Sequence, residues 1–130
     1  MSKPKVVSLF SGCGGMDLGF MQAGYELVWA NDFEKAACET YANNLGSHIV
    51  HGDITELDLS EIPDCDVMIG GFPCQDLSTA GKQHGMGEGT RSGLWSEIVR
   101  LVGELRPDFV IVENVAALLA GPSERRGGWF

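Results

Sequence analysis

The sequence predicts a single α/β domain built on a mostly parallel sheet. Short, almost continuously apolar runs alternate with helix-forming segments along its 130 residues. Such runs are typical of parallel strands that helices cover on both faces. Hydrophobic residues make up 44% of the chain and charged residues 21%, which is the composition of a folded globular protein and excludes a disordered or coiled-coil chain.

Five segments are predicted to be strands because each is short, apolar and followed by a turn or loop. They cover residues 5–10, 26–30, 48–51, 66–70 and 109–113. The third is the weakest, since it is brief and contains two histidines.

Three helices are predicted between these strands. The first covers residues 16–23 and is closed by Gly24. The second runs from Phe33 to about Asn44 with Asp32 as its N-cap. The third, over residues 92–105, has one apolar face and is stopped by Pro107.

The net charge of −9 is concentrated in one part of the chain. Residues 26–66 contain ten acidic side chains and one lysine, which alone gives −9, so the remaining residues are neutral. This distribution provides no long-range attraction for nucleic acid, although it leaves a neutral side for phosphate contacts.

Several classes of protein are excluded or disfavoured. No apolar run approaches the roughly 20 residues of a membrane helix, and no signal peptide precedes the first strand. We therefore expect a cytoplasmic protein that does not enter a membrane. The four cysteines form no C-x-x-C pair and have no histidine at ligand spacing, so we expect thiols and no metal site.

A glycine-rich loop follows the first predicted strand, where ligands of open parallel sheets bind. Its three glycines at positions 12, 14 and 15 let a ligand approach the backbone, whereas a simple tight turn needs fewer. Asp17 stands where a dinucleotide fingerprint requires glycine, and its carboxylate would repel a pyrophosphate. The loop therefore favours a ligand without phosphate over the cofactor of a nicotinamide-dependent oxidoreductase.

Two acidic residues follow the next strands. Asp32 either binds a ribose diol or serves only as the N-cap. Phe33 beside it either stacks on a base or packs in the core. Asp53 either accepts a hydrogen bond from an exocyclic amine or stabilises its own turn.

Two further residues are candidates for chemistry. Cys74 follows Gly70, Gly71 and Pro73 just past a strand, a rigid position suited to a thiolate nucleophile, although most such cysteines are buried and inert. Glu113 ends the last strand. Burial there would disfavour its ionised form and let it carry a proton at neutral pH, unless backbone donors satisfy it.

These motifs together resemble the N-terminal catalytic part of DNA cytosine carbon-5 methyltransferases. The matching segments, in the family's order, are LFSGCGGMDLGF, the acidic residue at 32, GDI at 52–54, GGFPCQDLS at 70–78 and ENV at 113–115. The resemblance implies a Rossmann-like S-adenosylmethionine-dependent methyltransferase fold, truncated before the target-recognition domain, with residues 4–120 as the cofactor-binding and catalytic subdomain and residues 121–130 as an unassigned tail.

The resemblance also implies the mechanism. Cys74 would attack carbon 6 of a cytosine flipped out of double-stranded DNA, and Glu113 would bind and protonate ring nitrogen 3. Carbon 5 would then attack the sulfonium methyl group, and loss of its proton with elimination of Cys74 would release methylcytosine.

The remaining roles are likewise implied by the resemblance. S-adenosylmethionine would be held by Phe10, Gly12, Gly14, Asp32, Phe33, Asp53 and Phe72. The DNA would be contacted by Gln75, Ser78 and Arg91, and the loop over residues 75–91 would close over it.

Family members continue with an arginine motif, a target-recognition domain and a segment that completes the cofactor pocket, and this sequence contains none of them. We therefore expect a truncated or split enzyme that works with a second polypeptide. The alternative is a catalytically inactive fragment that binds the cofactor or a partner methyltransferase.

Overall fold

A five-stranded parallel sheet forms the centre of the molecule. The structure, a computed structural model, describes residues 2–71 and 95–114. The strands are β1 (Lys5–Leu9), β2 (Glu26–Asp32), β3 (Ile49–His51), β4 (Val67–Gly70) and β5 (Phe109–Val112), in the spatial order β3-β2-β1-β4-β5. The parallel sheet confirms the predicted fold class, and each strand lies within two residues of its predicted bounds.

The central position of β1 determines which loops meet. Because β1 pairs with both β2 and β4, the loop after it lies between the ends of those two strands. Gly70 of β4 pairs in turn with Val112 of β5, so the residues that follow them leave the sheet side by side. The carboxyl ends of all five strands thus form one edge.

Among the described residues, three α-helices lie between the strands: α1 (Gly15–Gln22), α2 (Lys35–Asn44) and α3 (Trp95–Leu105). Gly24 follows the C-cap of α1 with φ of +97°, a conformation that glycine adopts without steric strain, and closes that helix as predicted. The predicted start of the third helix at 92–94 lies outside the described residues.

Asp32 does not cap α2, contrary to the prediction. Strand β2 extends through Asp32, and Glu34 is the N-cap. The Asp32 side chain instead accepts a hydrogen bond of 2.9 Å from the Glu34 backbone N–H. The helix therefore starts two residues later than predicted, because the carboxylate stabilises a turn that precedes it.

Helices pack on the two faces of the sheet. On one face, Val6 and Ile69 form a core with partly buried residues of α1, such as Phe20. On the other, Leu9 and Met68 pack with Ile98 and Leu101 of α3. The apolar face predicted for α3 is thus the one that packs on the sheet.

Strand β5 departs from the prediction of strands covered on both faces. Phe109 is 68% exposed, and Val110 and Ile111 are also exposed. β5 is the edge strand of the sheet among the described residues, so its apolar side chains and one row of backbone groups have no cover there. Residues 2–71 and 95–114 contain no helix long and apolar enough to span a bilayer.

Candidate functional site

A cavity of about 320 Å³ opens at the carboxyl edge of the sheet. It is bounded by the ends of β1 and β4, by the first turn of α1 and by the residue after β5. Its lining consists of Ser8, Leu9, Phe10, Ser11, Met16, Asp17, Gly70, Gly71 and Glu113. The cavity therefore joins the glycine loop to two segments that the sequence separates by about 60 and 100 residues.

The loop after β1 follows a path that few residue types can adopt. Gly12 and Gly14 have φ of +58° and +93°, and Phe10 also has a positive φ of 51°. A β-carbon on Gly14 would lie 2.8 Å from the ring of Tyr41, so the loop backbone packs directly on α2. Both glycines are thus required by conformation, and Gly14 by space as well.

Asp32 ties this loop to the end of β2. Its Oδ2 accepts a hydrogen bond of 2.8 Å from the Gly12 backbone N–H, while Oδ1 accepts the bond from Glu34. The side chain is buried, with 8% exposure. Each carboxylate oxygen accepts about two hydrogen bonds, so one site on each remains available to a ligand hydroxyl.

Phe33 is 42% exposed and lies outside the helix, so of the two alternatives left open for it, packing in the core does not hold. Its backbone oxygen lies 2.9 Å from Nε2 of His51, the last residue of β3. An exposed aromatic ring offers a stacking surface.

Asp53 is exposed and stabilises its own turn. Its Oδ1 accepts hydrogen bonds from the Thr55 backbone N–H at 2.9 Å and from the Thr55 hydroxyl at 2.7 Å. These bonds lower the pKa of Asp53, so the carboxylate is ionised at neutral pH. The structural interpretation of this residue is confirmed, and Oδ2 takes no part in these two bonds.

Glu113 lines the cavity, but it is exposed rather than buried. Its backbone N–H donates to the Gly70 carbonyl oxygen at 2.8 Å. A β-carbon on Gly71 would lie 3.1 Å from Glu113 Oε2, so the carboxylate sits directly over Gly71. The burial on which its predicted protonation depended is not present in the structure, because Glu113 emerges from the exposed edge strand.

Asp17 is not a free charge in the ligand loop, as the sequence interpretation assumed. It is 1% exposed and accepts hydrogen bonds from the hydroxyls of Ser8 and Tyr41. Burial raises its pKa, and the two hydroxyl donors oppose that rise. The argument that Asp17 repels a phosphate in the loop therefore loses its geometric basis.

Sequence reasoning missed two residues at this site. Tyr41 is fully buried, and burial together with the hydrogen bond to Asp17 raises the pKa of its hydroxyl. Asn31, 2% exposed, donates from its amide to the backbone oxygens of Val50 and Gly52. The signal available for Asn31 in the sequence was its position directly after the apolar residues 27–30 of β2.

The described cysteines are free thiols in different environments. Cys38 is buried, Cys65 is half-buried and Cys13 is exposed. Burial, with smaller contributions from neighbouring aspartates, raises the pKa of Cys65 to about 11. Among residues 2–71 and 95–114 no group of three potential ligands is placed to hold a metal ion.

Residues 4–126 match the family model of C-5 cytosine-specific DNA methylases. The chain belongs to this family. It is 50% identical over 126 residues to the type II methyltransferase M.NgoFVII of Neisseria gonorrhoeae, covering 95% of this chain and 33% of that protein. It is 44% identical to M.HgiGI of Herpetosiphon aurantiacus over 121 residues, covering 85% of this chain and 90% of that sequence.

The methylase fold is also found in solved structures. A prophage-encoded DNA modification methyltransferase of E. coli superimposes with a TM-score of 0.75 at 31% identity, covering 96% of this chain and 35% of that one. The Rossmann-like methyltransferase fold predicted from the sequence is thereby confirmed. The chain spans about a third of the length of M.NgoFVII and of the prophage protein.

The predicted site residues of this methylase chain divide into three sets. Phe10 and Glu113 line the cavity, and Asp32 and Gly12 are joined beside it by a hydrogen bond. Gly14 lies on the loop after β1, Phe33 follows β2 and Asp53 follows β3. Outside the described residues lie Phe72, Cys74, Gln75, Ser78 and Arg91.

Proposed function

We propose that this chain supplies the cofactor-binding and catalytic part, residues 4–120, of an enzyme that methylates carbon 5 of cytosine in DNA. The observation that carries the proposal is the cavity that brings the glycine loop, Gly70-Gly71 and Glu113 together. Gly71 leads, within three residues, to Cys74. Family membership supplies the reaction class, since M.NgoFVII and M.HgiGI are type II methyltransferases.

The described residues fit S-adenosylmethionine as the cofactor. The glycine loop exposes backbone at the start of α1, where N–H groups lack helical partners and suit a carboxylate. Asp32 retains acceptor capacity for ribose hydroxyls, exposed Phe33 suits an adenine ring, and ionised Asp53 suits its amine. Phe10, Gly12, Gly14 and Phe72 would complete this binding set. The bound cofactor would supply an electrophilic methyl group.

The remaining residues act on the base and the DNA. Cys74 would form a bond to carbon 6 of an extruded cytosine, which raises electron density at carbon 5. Glu113 would hold nitrogen 3 and the amino group, and its contact with Gly71, which precedes Cys74 by three residues in the sequence, supports this role. Gln75, Ser78 and Arg91 would contact the DNA backbone.

A second polypeptide that carries target recognition would pack against the exposed edge of β5. One observation supports this part of the proposal: among the described residues, the edge strand β5 exposes Phe109, Val110 and Ile111. An uncovered apolar edge of this kind is suited to pairing with a further strand. We also propose a cytoplasmic location, because relatives such as M.NgoFVII are bacterial and the proposed substrate is DNA.

The same exposed edge favours a second candidate function. A fragment that binds cofactor and docks through β5 onto another methyltransferase, without catalysing transfer itself, would need the loops around Asp32 but not Cys74. The two functions differ in whether a covalent bond to DNA forms.

Trapping on a duplex that contains 5-fluorocytosine separates them. The chain is incubated with S-adenosylmethionine and this duplex, alone and with a polypeptide that carries the remaining two-thirds of M.NgoFVII. An adduct that survives denaturing electrophoresis and disappears in C74S supports the catalytic proposal. If no adduct forms under either condition while S-adenosylhomocysteine still binds, the catalytic proposal is wrong and the fragment function stands.

A further inference from the structure

Four polar side chains form a hydrogen-bonded chain that the proposed chemistry does not use. Ser8 Oγ donates to Asp17 Oδ1 at 2.7 Å, and the Tyr41 hydroxyl donates to Asp17 Oδ2 at 2.5 Å. The same hydroxyl lies 2.8 Å from Nε2 of His48. Ser8, Asp17 and Tyr41 are each at most 1% exposed. We refer to Ser8, Asp17, Tyr41 and His48 as the buried polar chain.

Members of the buried polar chain lie before the glycine loop, after it and against it. Ser8 lies in β1 just before the loop, and Asp17 lies in the first turn of α1 just after it. The ring of Tyr41 supplies the wall against which Gly14 packs. Tyr41 of α2 thus packs on Gly14 of the loop through its ring, and its hydroxyl bonds to Asp17, which follows the loop in α1.

This arrangement restricts a backbone that would otherwise be free. Gly12 and Gly14 have access to many conformations, so holding them in one path requires contacts from outside the loop. Asp17 anchors α1 to β1 through Ser8 and to α2 through Tyr41. Removal of the Tyr41 hydroxyl leaves a buried carboxylate oxygen without its donor, which favours a shift of α1 and of the loop joined to it.

We propose that Tyr41 is a positioning residue for the cofactor loop and that its hydroxyl, acting through Asp17, sets the affinity for S-adenosylmethionine. The inference rests on the proposed function, because it takes the loop to be the cofactor site. Tyr41 does not line the cavity, so its effect on binding passes through the loop backbone.

The test uses the two tyrosines of the chain as a matched pair. Tyr41→Phe and Tyr25→Phe remove the same hydroxyl group, but Tyr25 lies before β2 at the opposite edge of the sheet, where its ring packs on Phe20. The probe is S-adenosylhomocysteine, titrated by calorimetry at protein concentrations high enough to detect weak binding. Hydrogen exchange of the backbone amides of residues 11–15 and of β1, and urea unfolding, are measured on the same samples without ligand.

We expect Tyr41→Phe to weaken binding at least about tenfold, the effect of one hydrogen bond to a charged group, and Tyr25→Phe to change it less than twofold. Exchange at residues 11–15 should accelerate in Tyr41→Phe more than exchange at β1. Asp17→Asn keeps the shape of the side chain but leaves only one acceptor oxygen for the two hydroxyl donors, Ser8 and Tyr41. It should weaken binding to a similar extent. The affinity of the double variant, Tyr41→Phe with Asp17→Asn, should then be within about twofold of that of either single variant, because both changes break the same hydrogen bond between Tyr41 and Asp17.

Three results overturn the inference. If Tyr41→Phe and the wild type bind with equal affinity, the inference about Tyr41 is wrong, but the proposed cofactor site is unaffected. Weaker binding with unchanged exchange at residues 11–15 shows that the hydroxyl does not act through the loop. No binding by the wild type overturns the cofactor site and this inference together. If Tyr41→Phe does not fold, Asp17→Asn is judged by the exchange at residues 11–15 relative to β1, because Asp17 lines the cavity and its effect on affinity is not specific to the loop.

Discussion

The side-chain amide nitrogen of Asn31 lies 3.0 Å from the backbone oxygen of Gly52 and donates a hydrogen bond to it. The same nitrogen donates to Val50 at 2.8 Å, and the Asn31 backbone oxygen accepts from the N–H of Ser11 at 3.1 Å. One buried residue of β2 therefore holds the loop after β1 on one side and the turn of Asp53 on the other. The two parts of the proposed cofactor site are linked through it.

Asn31→Ala should lower the free energy of unfolding by about 2 kcal/mol, because two partly buried carbonyl oxygens lose the donor that the buried Asn31 amide supplies. Asn31→Asp should lower it further, since an ionised carboxylate donates nothing and would face both oxygens. Urea unfolding gives both values. Asn44→Ala is the control: its amide also donates to a backbone oxygen, at 2.8 Å, but on the exposed surface of α2, where about 0.5 kcal/mol is expected. Equal losses at positions 31 and 44 would contradict the link.

Alanine substitution along the glycine loop should give a graded series. Gly15→Ala should leave stability unchanged or slightly raised, because Gly15 starts α1 and a β-carbon there meets no atom within 4 Å. Gly12→Ala should lower the free energy of unfolding by about 1–2 kcal/mol through its positive φ alone. Gly14→Ala should lower it by about 3 kcal/mol or more, since it adds a clash with Tyr41 and Leu45. Thermal or urea unfolding tests the order, and a Gly14→Ala variant as stable as Gly12→Ala would show that the loop moves freely away from α2.

Asp53 and Asp58 offer a test of cofactor contact with a built-in control. Each accepts from the residue two positions later, a backbone N–H at 2.9 Å and a hydroxyl at 2.7 Å. Replacing either with asparagine keeps the Oδ1 acceptor and therefore the turn. Asp53→Asn should weaken S-adenosylhomocysteine binding about tenfold through loss of a charged acceptor, whereas Asp58→Asn should not change it. Calorimetry that finds both variants equal to the wild type would remove Asp53 from the binding set.

His48 should make the fold less stable in mild acid. Burial lowers its pKa, and the nearby Asp17 charge only partly opposes this. The unfolded chain, in which histidine titrates near about 6.5, therefore binds the proton more tightly than the folded chain. The His48 contribution to stability is complete above that value and is lost as the pH falls through it toward the folded pKa. Urea unfolding at pH 7.5 and 5.5 should show a larger decrease for the wild type than for His48→Gln. An equal decrease in both would place the pH dependence elsewhere.

The sequence predicted the sheet well, because apolar runs in a parallel sheet carry a strong signal for strands and their ends locate the binding edge. It predicted side-chain environments less well. Asp32 was assigned as the helix cap from its position alone, but its carboxylate bonds to Gly12, 20 residues away, a contact that no local pattern encodes. Glu113 was expected to be buried because it follows four apolar residues. Those residues lie on an edge strand, and only the order of strands reveals that.

The pairing of Gly70 with Val112 fixes the distance at which two loops of the proposed site begin. The segments that carry Gly71 and Glu113 leave adjacent strands in register, so their separation at the start is the spacing of neighbouring strands, about 4.8 Å. That spacing belongs to the hydrogen-bond ladder and not to either loop. In the proposed enzyme, a change in the part that reads DNA would therefore leave the distance between the starts of the segments that lead to Cys74 and Glu113 unchanged.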